Sequence, residues 1–399
     1  MAWIESFRVT GLAGRPDPVE HKLDRHVNIF WGLNGAGKTT LLKILHAGMN
    51  NESSGLEDLP FKSAEIRFRV GLENGLVIRR FFNDAPQEED EEDDAPRQSI
   101  LFAEDDDGSW ISPDDDLSGV WHTEWDDIDF GMKVMSRPLE HSYLPITRVV
   151  DARRRPAYAG DRRLSTEELF VTQVRERWRD YATKSLSRIR DIQQTGLATV
   201  LATLFGGVPT PMESPSRLDR IDPNEAYSLV RAFLSEQGLP LGMSREKFAE
   251  RYKKSEEHRQ VVSEIQDVRR ATDDVLMPQR EFQSVIDSMY TGDKHLILGV
   301  PRMPRQYAQV ALRVEIGEQQ IPLKSLSSGE KQLLQILLEV LGAAEDTVMI
   351  DEPELSLHVN WQQQLVGSMQ RVNGDCQLLL ATHSPEIMAD VADEHVFEL

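Results

Sequence analysis

The feature that most restricts the fold of this chain is the octet G-L-N-G-A-G-K-T, which occupies residues 32–39. Residues 27–31 before it are typical of a buried strand, and residues 40–45 after it are typical of a helix. Glycines at this spacing let backbone N–H groups point at phosphate oxygens, and the helix N-terminus adds partial positive charge. A glycine turn that binds nothing would not require this strand and this helix around it. We therefore predict a phosphate-binding loop.

The side chains of the loop have separate expected roles. Lys38 is expected to reach the β- and γ-oxygens of a bound nucleotide, and the hydroxyl of Thr39 is expected to bind Mg²⁺. The residues predicted to contact the nucleotide phosphates are Asn34, Gly35, Ala36, Gly37, Lys38, Thr39 and Thr40.

Length, charge and cysteine content restrict the class of protein. A chain of 399 residues suits two domains, or one domain with a large insertion. The formal net charge of −22 makes the protein as a whole repel nucleic acid and anionic membranes, so any DNA contact needs a local basic patch. The single cysteine, Cys376, excludes an internal disulfide and a cysteine-based zinc site. No apolar run suits a membrane-spanning helix and the start is not typical of a signal peptide, so a cytoplasmic protein is expected.

Two stretches of the chain carry opposite charge. Acidic residues crowd the region from about 84 to 130, which predicts a solvated insertion in the first lobe. The spacing of these acids departs from the calcium-loop pattern, so a calcium site is disfavoured. DNA mimicry or docking of a basic partner is a further interpretation. Arginines dominate residues 148–190. They lie either on a solvated helical surface or at a contact with phosphates or an acidic partner, and the pattern leaves both open.

Periodicity predicts the remaining elements. Residues 65–70 and 76–82 surround the turn E-N-G and predict a β-hairpin. Residues 165–290 predict an inserted helical region with a short antiparallel hairpin, interrupted at 206–211 and at Pro278. The strands predicted beyond it are 294–298 and 309–316. The predicted domains are an N-terminal lobe, the helical insertion and a C-terminal lobe, at residues 1–150, 151–293 and 294–399.

A second polar segment, L-S-S-G-E-K-Q at residues 326–332, directly precedes an apolar helix at residues 333–341. Ser327 and Gly329 at a helix start can form an anion-binding N-terminus. The same pattern also suits a capping box, in which Ser327 and Glu330 only close the end of the helix. Taken alone, this segment does not decide between the two.

Two acids, Asp351 and Glu352, directly follow a predicted buried strand at residues 347–350. After a phosphate loop, this position predicts that Asp351 holds Mg²⁺ through water and that Glu352 polarises the attacking water. Another buried strand, at residues 377–381, ends in T-H-S-P and places His383 within reach of a γ-phosphate or the attacking water. The catalytic residues predicted here are Lys38, Glu352 and His383.

In this order, the segments G-L-N-G-A-G-K-T, L-S-S-G-E-K-Q, V-M-I-D-E-P-E-L-S-L-H and A-T-H-S-P resemble the ATP-binding-cassette (ABC) ATPases. The likeness is greatest to the soluble branch with the SMC-like, RecF-like and overcoming-lysogenization-defect (OLD) proteins. It covers about the first eighty residues and residues 295–399. It implies an α/β fold, a P-loop NTPase of ABC-ATPase type with a β-rich lobe and an inserted helical region. Ser328 and Glu330 stand where transporters usually have glycine and glutamine, and the family's Q-loop glutamine has no clear match.

The resemblance also implies how two copies of the chain bind ATP together. They pair head to tail, so that ATP on Lys38 and Thr39 of one subunit is closed by Ser327 and Gly329 of the other. The expected ligands are therefore ATP and Mg²⁺, and the expected assembly is a homodimer or a higher homo-oligomer.

The same resemblance assigns roles around the bound nucleotide. Thr39 and Asp351 are expected to bind the magnesium ion, Glu352 to polarise the attacking water, and His383 to act as a switch. Residues 355–358 occupy the position of the D-loop, which crosses the interface between the two subunits.

The biological role follows from the resemblance and from the end of the chain. Relatives with a nuclease carry a fused Toprim domain after the ATPase, whereas only sixteen residues follow His383 here, so a nuclease or toxin effector is expected to be a separate protein. We interpret the chain as an Mg-dependent ATPase that assembles around ATP and regulates this effector. Stand-alone AAA-type ATPases of antiphage systems, PARIS-type and Septu-type, are similar, with DNA or a phage protein as candidate partners and no membrane partner.

Two alternatives remain at this point. In the first, a RecF- or SMC-like repair ATPase closes on duplex DNA through the arginines of residues 153–190. In the second, a non-hydrolysing scaffold uses ATP only to hold its subunits together.

Overall fold

The computed structural model describes residues 2–71, 75–83, 119, 121–125, 137–145, 165–204, 221–236, 238–290, 292–299 and 312–399. In these ranges the elements follow one another along the chain as β1 Ala2–Thr10, β2 Val19–Lys22, β3 Val27–Trp31, α1 Lys38–Asn50, β4 Ser63–Val70, β5 Gly75–Phe82, β6 Trp121–Trp125, β7 His141–Leu144, α2 Thr166–Leu204, α3 Pro223–Glu236, α4 Arg245–Lys254, α5 Glu256–Met289, β8 Lys294–Leu298, β9 Leu312–Ile316, β10 Gln319–Ile321, α6 Ser328–Gly342, β11 Thr347–Asp351, α7 Val359–Val372, β12 Gln377–Thr382, α8 Pro385–Met388 and β13 Val396–Glu398.

The described residues divide into two compact units. The first comprises those among residues 2–178, 282–299 and 312–399, and the second comprises those among residues 179–281. The division falls inside the two long helices α2 and α5. The predicted insertion, 151–293, extends beyond the second unit at both ends.

The first unit is built on a five-stranded parallel sheet with the strand order β13-β3-β12-β11-β7. Every residue of β11 and β12 is buried. A parallel strand covered on both faces reads as a continuous apolar run, which is why these strands were recognisable from the sequence. The strands predicted at 27–31, 347–350 and 377–381 are confirmed as β3, β11 and β12.

The same unit contains a five-stranded antiparallel sheet with the order β2-β1-β4-β5-β6. Strands β4 and β5 pair from Ser63 opposite Phe82 to Val70 opposite Gly75, which confirms the two strands of the predicted hairpin. Alternate residues of β4 are buried, as expected for a strand with one face against a core. That core also contains apolar residues of α1, so the antiparallel sheet supports the helix that follows the phosphate-binding loop.

A small antiparallel sheet, in the order β10-β9-β8, belongs to the first unit as well. It confirms the predicted strand at 294–298 as β8. The strand predicted at 309–316 is observed as β9 from Leu312 to Ile316, and residues 309–311 lie outside the described residues.

The second unit is helical, as predicted. It holds most of α2 and α5 together with α3 and α4, around a core that includes Phe233, Phe248, Tyr252 and Ile265. Of the helices that the structure describes, none combines the length and the apolar character needed to cross a bilayer.

The predicted interruption at Pro278 is wrong, because α5 continues through it from Glu256 to Met289. A proline inside a helix removes one N–H donor and costs about 3 kcal/mol. Beyond it, Phe282 and Ile286 are fully buried. Burying each such side chain contributes roughly 1.5–3 kcal/mol, so packing outweighs the local cost. The helical pattern breaks instead at Ser255, between α4 and α5.

Within the second unit, α2 and α5 lie close together at Gly196. A Cβ atom there would lie 2.1 Å from Cγ2 of Val268. Gly196→Ala is therefore expected to lower the free energy of unfolding by about 1–3 kcal/mol in urea titrations, through overpacking. Gly242→Ala is the matched control, since a Cβ atom at Gly242 meets nothing within 4 Å. Equal stability losses in the two variants would contradict this packing, whereas adding Val268→Ala to Gly196→Ala should recover part of the loss.

Candidate functional site

Three strand ends meet at one edge of the parallel sheet. Strand β12 lies between β3 and β11, and its Leu380 is opposite both Ile29 and Ile350. Because parallel strands end at the same edge, the loops that follow the three strands adjoin there, at the edge where open α/β sheets bind ligands. The tertiary fold thus brings together predicted site residues from the two ends of the chain.

The loop after β3 has the backbone of a phosphate cradle. Gly35 has φ 87° and Gly37 has φ 97°, a left-handed conformation that favours glycine. Helix α1 begins at Lys38, directly after Gly37. Because glycine carries no capping side chain, the first N–H groups of α1 are left for an anionic ligand.

Lys38 is buried at the start of α1, with 5% of its surface exposed. Its ammonium donates hydrogen bonds to the carbonyl oxygens of Gly32 at 2.8 Å and Leu33 at 3.3 Å. The same Nζ lies 3.9 Å from Oε1 of Glu352. Lys38 and Glu352, the residue predicted to polarise the attacking water, are therefore neighbours.

Asp351 is fully buried at the end of β11, and neither of its carboxylate oxygens has a hydrogen-bond partner among the described residues. Burial raises the pKa of Asp351 above its usual value. The nearby hydroxyl of Thr39 and the charges of Lys38 and Lys43 counteract only part of this effect. A carboxylate with unpaired oxygens beside a threonine hydroxyl is an oxygen donor set of the kind that Mg²⁺ prefers, so these residues fit the ion.

Glu352 adopts a backbone conformation that is rare for a residue with a side chain, with φ 50°. Its N–H donates to the carbonyl oxygen of Ala381 on β12 at 2.8 Å, which fixes it at the sheet edge. Its Oε2 is hydrogen-bonded to Nδ1 of His383. Burial, followed by the charge of Glu354, raises the pKa of Glu352, and His383 opposes this shift.

The segment before α6 forms the capping box that was one of its two interpretations. The hydroxyl of Ser327 accepts from the N–H of Glu330 at 3.3 Å, and the N–H of Ser327 donates to Oε2 of Glu330 at 2.8 Å. Lys294 donates to the other oxygen of Glu330 at 2.5 Å. A Cβ atom on Gly329 would lie 2.7 Å from the carbonyl oxygen of Ser356, so this glycine also permits a close backbone approach. The role of Ser327 and Gly329 in binding ATP stays a prediction.

The charged stretches are described only in part. Of the acidic insertion at 84–130, residues 119 and 121–125 belong to the described ranges. Of the arginine-rich stretch, residues 148–164 lie outside them. Arg177, farther along, lies 2.9 Å from the buried Glu339 of α6, which places this arginine in an ion pair of the protein itself.

Comparison with known proteins identifies the type of domain. Residues 217–389 match the family described as "AAA domain, putative AbiEii toxin, Type IV TA system". The match covers less than half of the chain, and it indicates an ATPase domain similar to this family. The match includes residues 326–332 before α6 as well as Asp351, Glu352 and His383. Together with the parallel sheet, it confirms the predicted α/β fold of a P-loop NTPase.

Curated relatives of this ATPase domain bear related names. "Retron Ec83 probable ATPase" from Escherichia coli is 24% identical over 133 residues, which cover 30% of this chain and 24% of the relative. "Retron Vc95 probable ATPase" from Vibrio cholerae serotype O1 biovar El Tor is 31% identical over 90 residues, which cover 19% of this chain and 18% of the relative. The chain thus matches less than a quarter of the length of each of these two proteins.

Several solved structures align with nearly the whole chain, and one of them serves as an example. It is the Smc head domain with an extended coiled coil, bound to the C-terminal domain of ScpA and derived from Pyrococcus furiosus, with a TM-score of 0.43 and 14% identity over 98% of this chain and 92% of that chain.

Two parts of the ATPase domain escaped the sequence reasoning. The edge strand β7 beside β11 is only four residues long and has little periodicity, although Tyr143 on it pairs with Met349. The second is Glu354, a buried carboxylate in the segment D-E-P-E. A third acid so close to Asp351 and Glu352 was a signal that could have revealed it.

Proposed function

We propose that the chain is a Mg²⁺-dependent ATPase. The observation that carries this proposal is the pair of buried, unpaired carboxylate oxygens of Asp351, beside Lys38 and Thr39. A buried carboxylate whose charge Thr39, Lys38 and Lys43 compensate only in part is costly unless a ligand supplies the rest. A magnesium ion with a nucleotide triphosphate on the glycine loop is the ligand that suits all three residues.

The residues at the sheet edge divide the chemistry among them. The Lys38 ammonium and the N–H groups at the start of α1 bind and orient the phosphates, and Thr39 and Asp351 hold the metal. A bound Mg²⁺ would neutralise the negative charge that develops on the phosphate oxygens. Glu352 orients a water against the γ-phosphorus and takes its proton, while the bond to the β–γ bridging oxygen breaks and ADP leaves. The hydrogen bond from His383 holds the Glu352 carboxylate in one orientation.

Assembly in pairs is part of the proposal. Ser327 is exposed at the N-terminus of α6. The phosphates of a nucleotide bound to a second subunit could contact the helix there. In this arrangement Ser327 and Gly329 of one subunit close the nucleotide held on Lys38 and Thr39 of the other, in a homodimer or a higher homo-oligomer.

The cellular role that we propose is control of a separately encoded effector, a nuclease or a toxin, in antiphage defence. It is supported by the family description, which refers to a putative toxin and a toxin–antitoxin system, and by the names of the relatives, which are given as probable ATPases of retrons. The test is a pull-down from the native host with tagged Glu352→Gln protein in Mg-ATP. A partner retained with ATP and lost with Lys38→Ala supports the role. The same partners with and without ATP would contradict it.

Lys38→Ala is expected to weaken Mg-ATP binding by about 10- to 150-fold, because a charge-assisted hydrogen bond contributes about 1.5–3 kcal/mol. Calorimetric titration measures the binding, and phosphate release measures the turnover. Lys254→Ala is the control, since the Lys254 side chain is 74% exposed and pairs with Glu250. Unchanged nucleotide uptake by Lys38→Ala, together with no phosphate release from the parent protein, would refute the ATPase proposal.

A further inference from the structure

Glu354 makes an unusual number of contacts for a buried carboxylate. It is 5% exposed, and a single oxygen, Oε1, accepts three hydrogen bonds from one turn. The donors are the Thr382 hydroxyl at 2.5 Å, the His383 N–H at 2.9 Å and the Ser384 N–H at 3.2 Å. Thr382 ends β12, and His383 and Ser384 begin the turn after it, so this one oxygen holds the start of the turn in place.

The turn carries the side chain that contacts Glu352. Nδ1 of His383 lies 3.1 Å from Oε1 of Glu354 and is hydrogen-bonded to Oε2 of Glu352. The imidazole therefore stands between the two carboxylates. A shift of the turn would move the ring and release the Glu352 carboxylate from its fixed orientation.

Glu354 also connects this turn to the segment that follows it, residues 355–358. Its carbonyl oxygen accepts from the N–H of Leu357 at 3.0 Å and from Nε2 of Gln362 at 3.4 Å. Oε1 of Gln362 in turn accepts from the Ser384 hydroxyl at 2.8 Å. The segment and the turn are thus joined through both the side chain and the backbone of one residue.

A role in stability alone does not account for this residue. The second oxygen of Glu354, Oε2, is buried and has no hydrogen-bond partner among the residues that the structure describes. A buried carboxylate oxygen without a partner opposes folding. The hydrogen bonds that its other oxygen, Oε1, accepts come from Thr382, His383 and Ser384, so the placement of this segment is what the side chain controls.

We propose that Glu354 is a positioning residue, which holds the Glu352–His383 pair in its working geometry and ties it to residues 355–358. The inference rests on the proposed ATPase function, which it deepens. Glu354 does not touch the nucleotide in this role. It acts through the placement of the turn, and it requires an acceptor oxygen at the present distance rather than a negative charge.

Two matched variants of the full chain separate placement from charge. Glu354→Gln keeps an acceptor oxygen at the same reach and removes the charge, whereas Glu354→Asp keeps the charge and withdraws the carboxylate by one methylene group. With Mg-ATP, Glu354→Asp is expected to lower kcat by about 100-fold with KM within about twofold, because small misplacements of catalytic groups cost that much. In Glu354→Gln, kcat is expected to fall by less than about tenfold.

The reverse order, with Glu354→Gln more impaired than Glu354→Asp, would overturn the proposal. So would a change in thermal stability without any change in kcat. Histidine-selective NMR provides a readout that does not depend on turnover. The ring resonances of His383, assigned with His383→Ala, should shift in Glu354→Asp and stay in place in Glu354→Gln. Unmoved resonances in Glu354→Asp would refute the placement, whereas a parent protein without ATPase activity would refute the proposed function instead.

Discussion

Glu352→Gln is expected to lower kcat for ATP hydrolysis by about 100- to 10,000-fold, the range that a general base contributes. The glutamine amide has nearly the shape of the carboxylate but cannot take a proton from water. Nucleotide binding should stay within about threefold, because the groups that bind the phosphates are Lys38 and the backbone of the glycine loop. Phosphate release and equilibrium titration with Mg-ATP measure the two effects separately.

Glu250→Gln is the control for this substitution, since the Glu250 side chain is 65% exposed and belongs to the second unit. Full turnover in Glu352→Gln would contradict the assignment of Glu352 as the base. The same variant tests the alternative of a scaffold that only binds ATP. If effector control persists in Glu352→Gln without hydrolysis, the nucleotide holds the assembly together and its turnover has no part in the function.

Arg79→Leu is expected to lower the free energy of unfolding by about 3–5 kcal/mol. Arg79 on β5 is fully buried, and its guanidinium donates to the carbonyl oxygens of Gly48, Met49 and Arg137. The first two lie at the C-terminal end of α1, where unpaired carbonyls carry partial negative charge. Leucine would leave buried acceptors without donors. Burial lowers the pKa of Arg79 to about 10, so the group stays charged at neutral pH.

Urea unfolding measures this effect, and Arg67→Leu is the matched control on the neighbouring strand. The Arg67 side chain is 48% exposed and pairs with Glu65, so its loss should cost less than about 1 kcal/mol. Arg79→Lys should fall between the two, because a single ammonium cannot reproduce the fork of the guanidinium. Equal stability of Arg79→Leu and Arg67→Leu would contradict the anchoring of α1 by this arginine.

The elements that sequence reasoning located are those whose pattern is local. Strands β11 and β12 have continuous apolar runs at 348–350 and 378–381 because both faces of the sheet are covered, whereas the burial of residues 63–70 alternates because only one face is covered. The glycine loop is equally local, since its chemistry requires residue types at fixed spacings. Such features depend on neighbours in the chain, so they can be read without knowing the fold.

The features that escaped depend on contacts between distant residues. Proline at 278 suggested a break, yet packing of the residues beyond it maintains the helix. Strand β7 exists because β11 offers it a free edge. Arg79 looked like one more charge on a hairpin strand until α1 was seen to end beside it.

By itself, the sequence predicted the class of chemistry, because a glycine loop and two acids at the end of a buried strand can be recognised from residue type and spacing. Only the tertiary structure decided how these groups work together. It set Glu352 against His383, left the oxygens of Asp351 without partners, and turned Glu354 into an anchor for the loop after β12. The physical reason is that hydrogen bonds and burial act over a few ångströms in space, whereas the residues they join lie up to hundreds of positions apart in the chain.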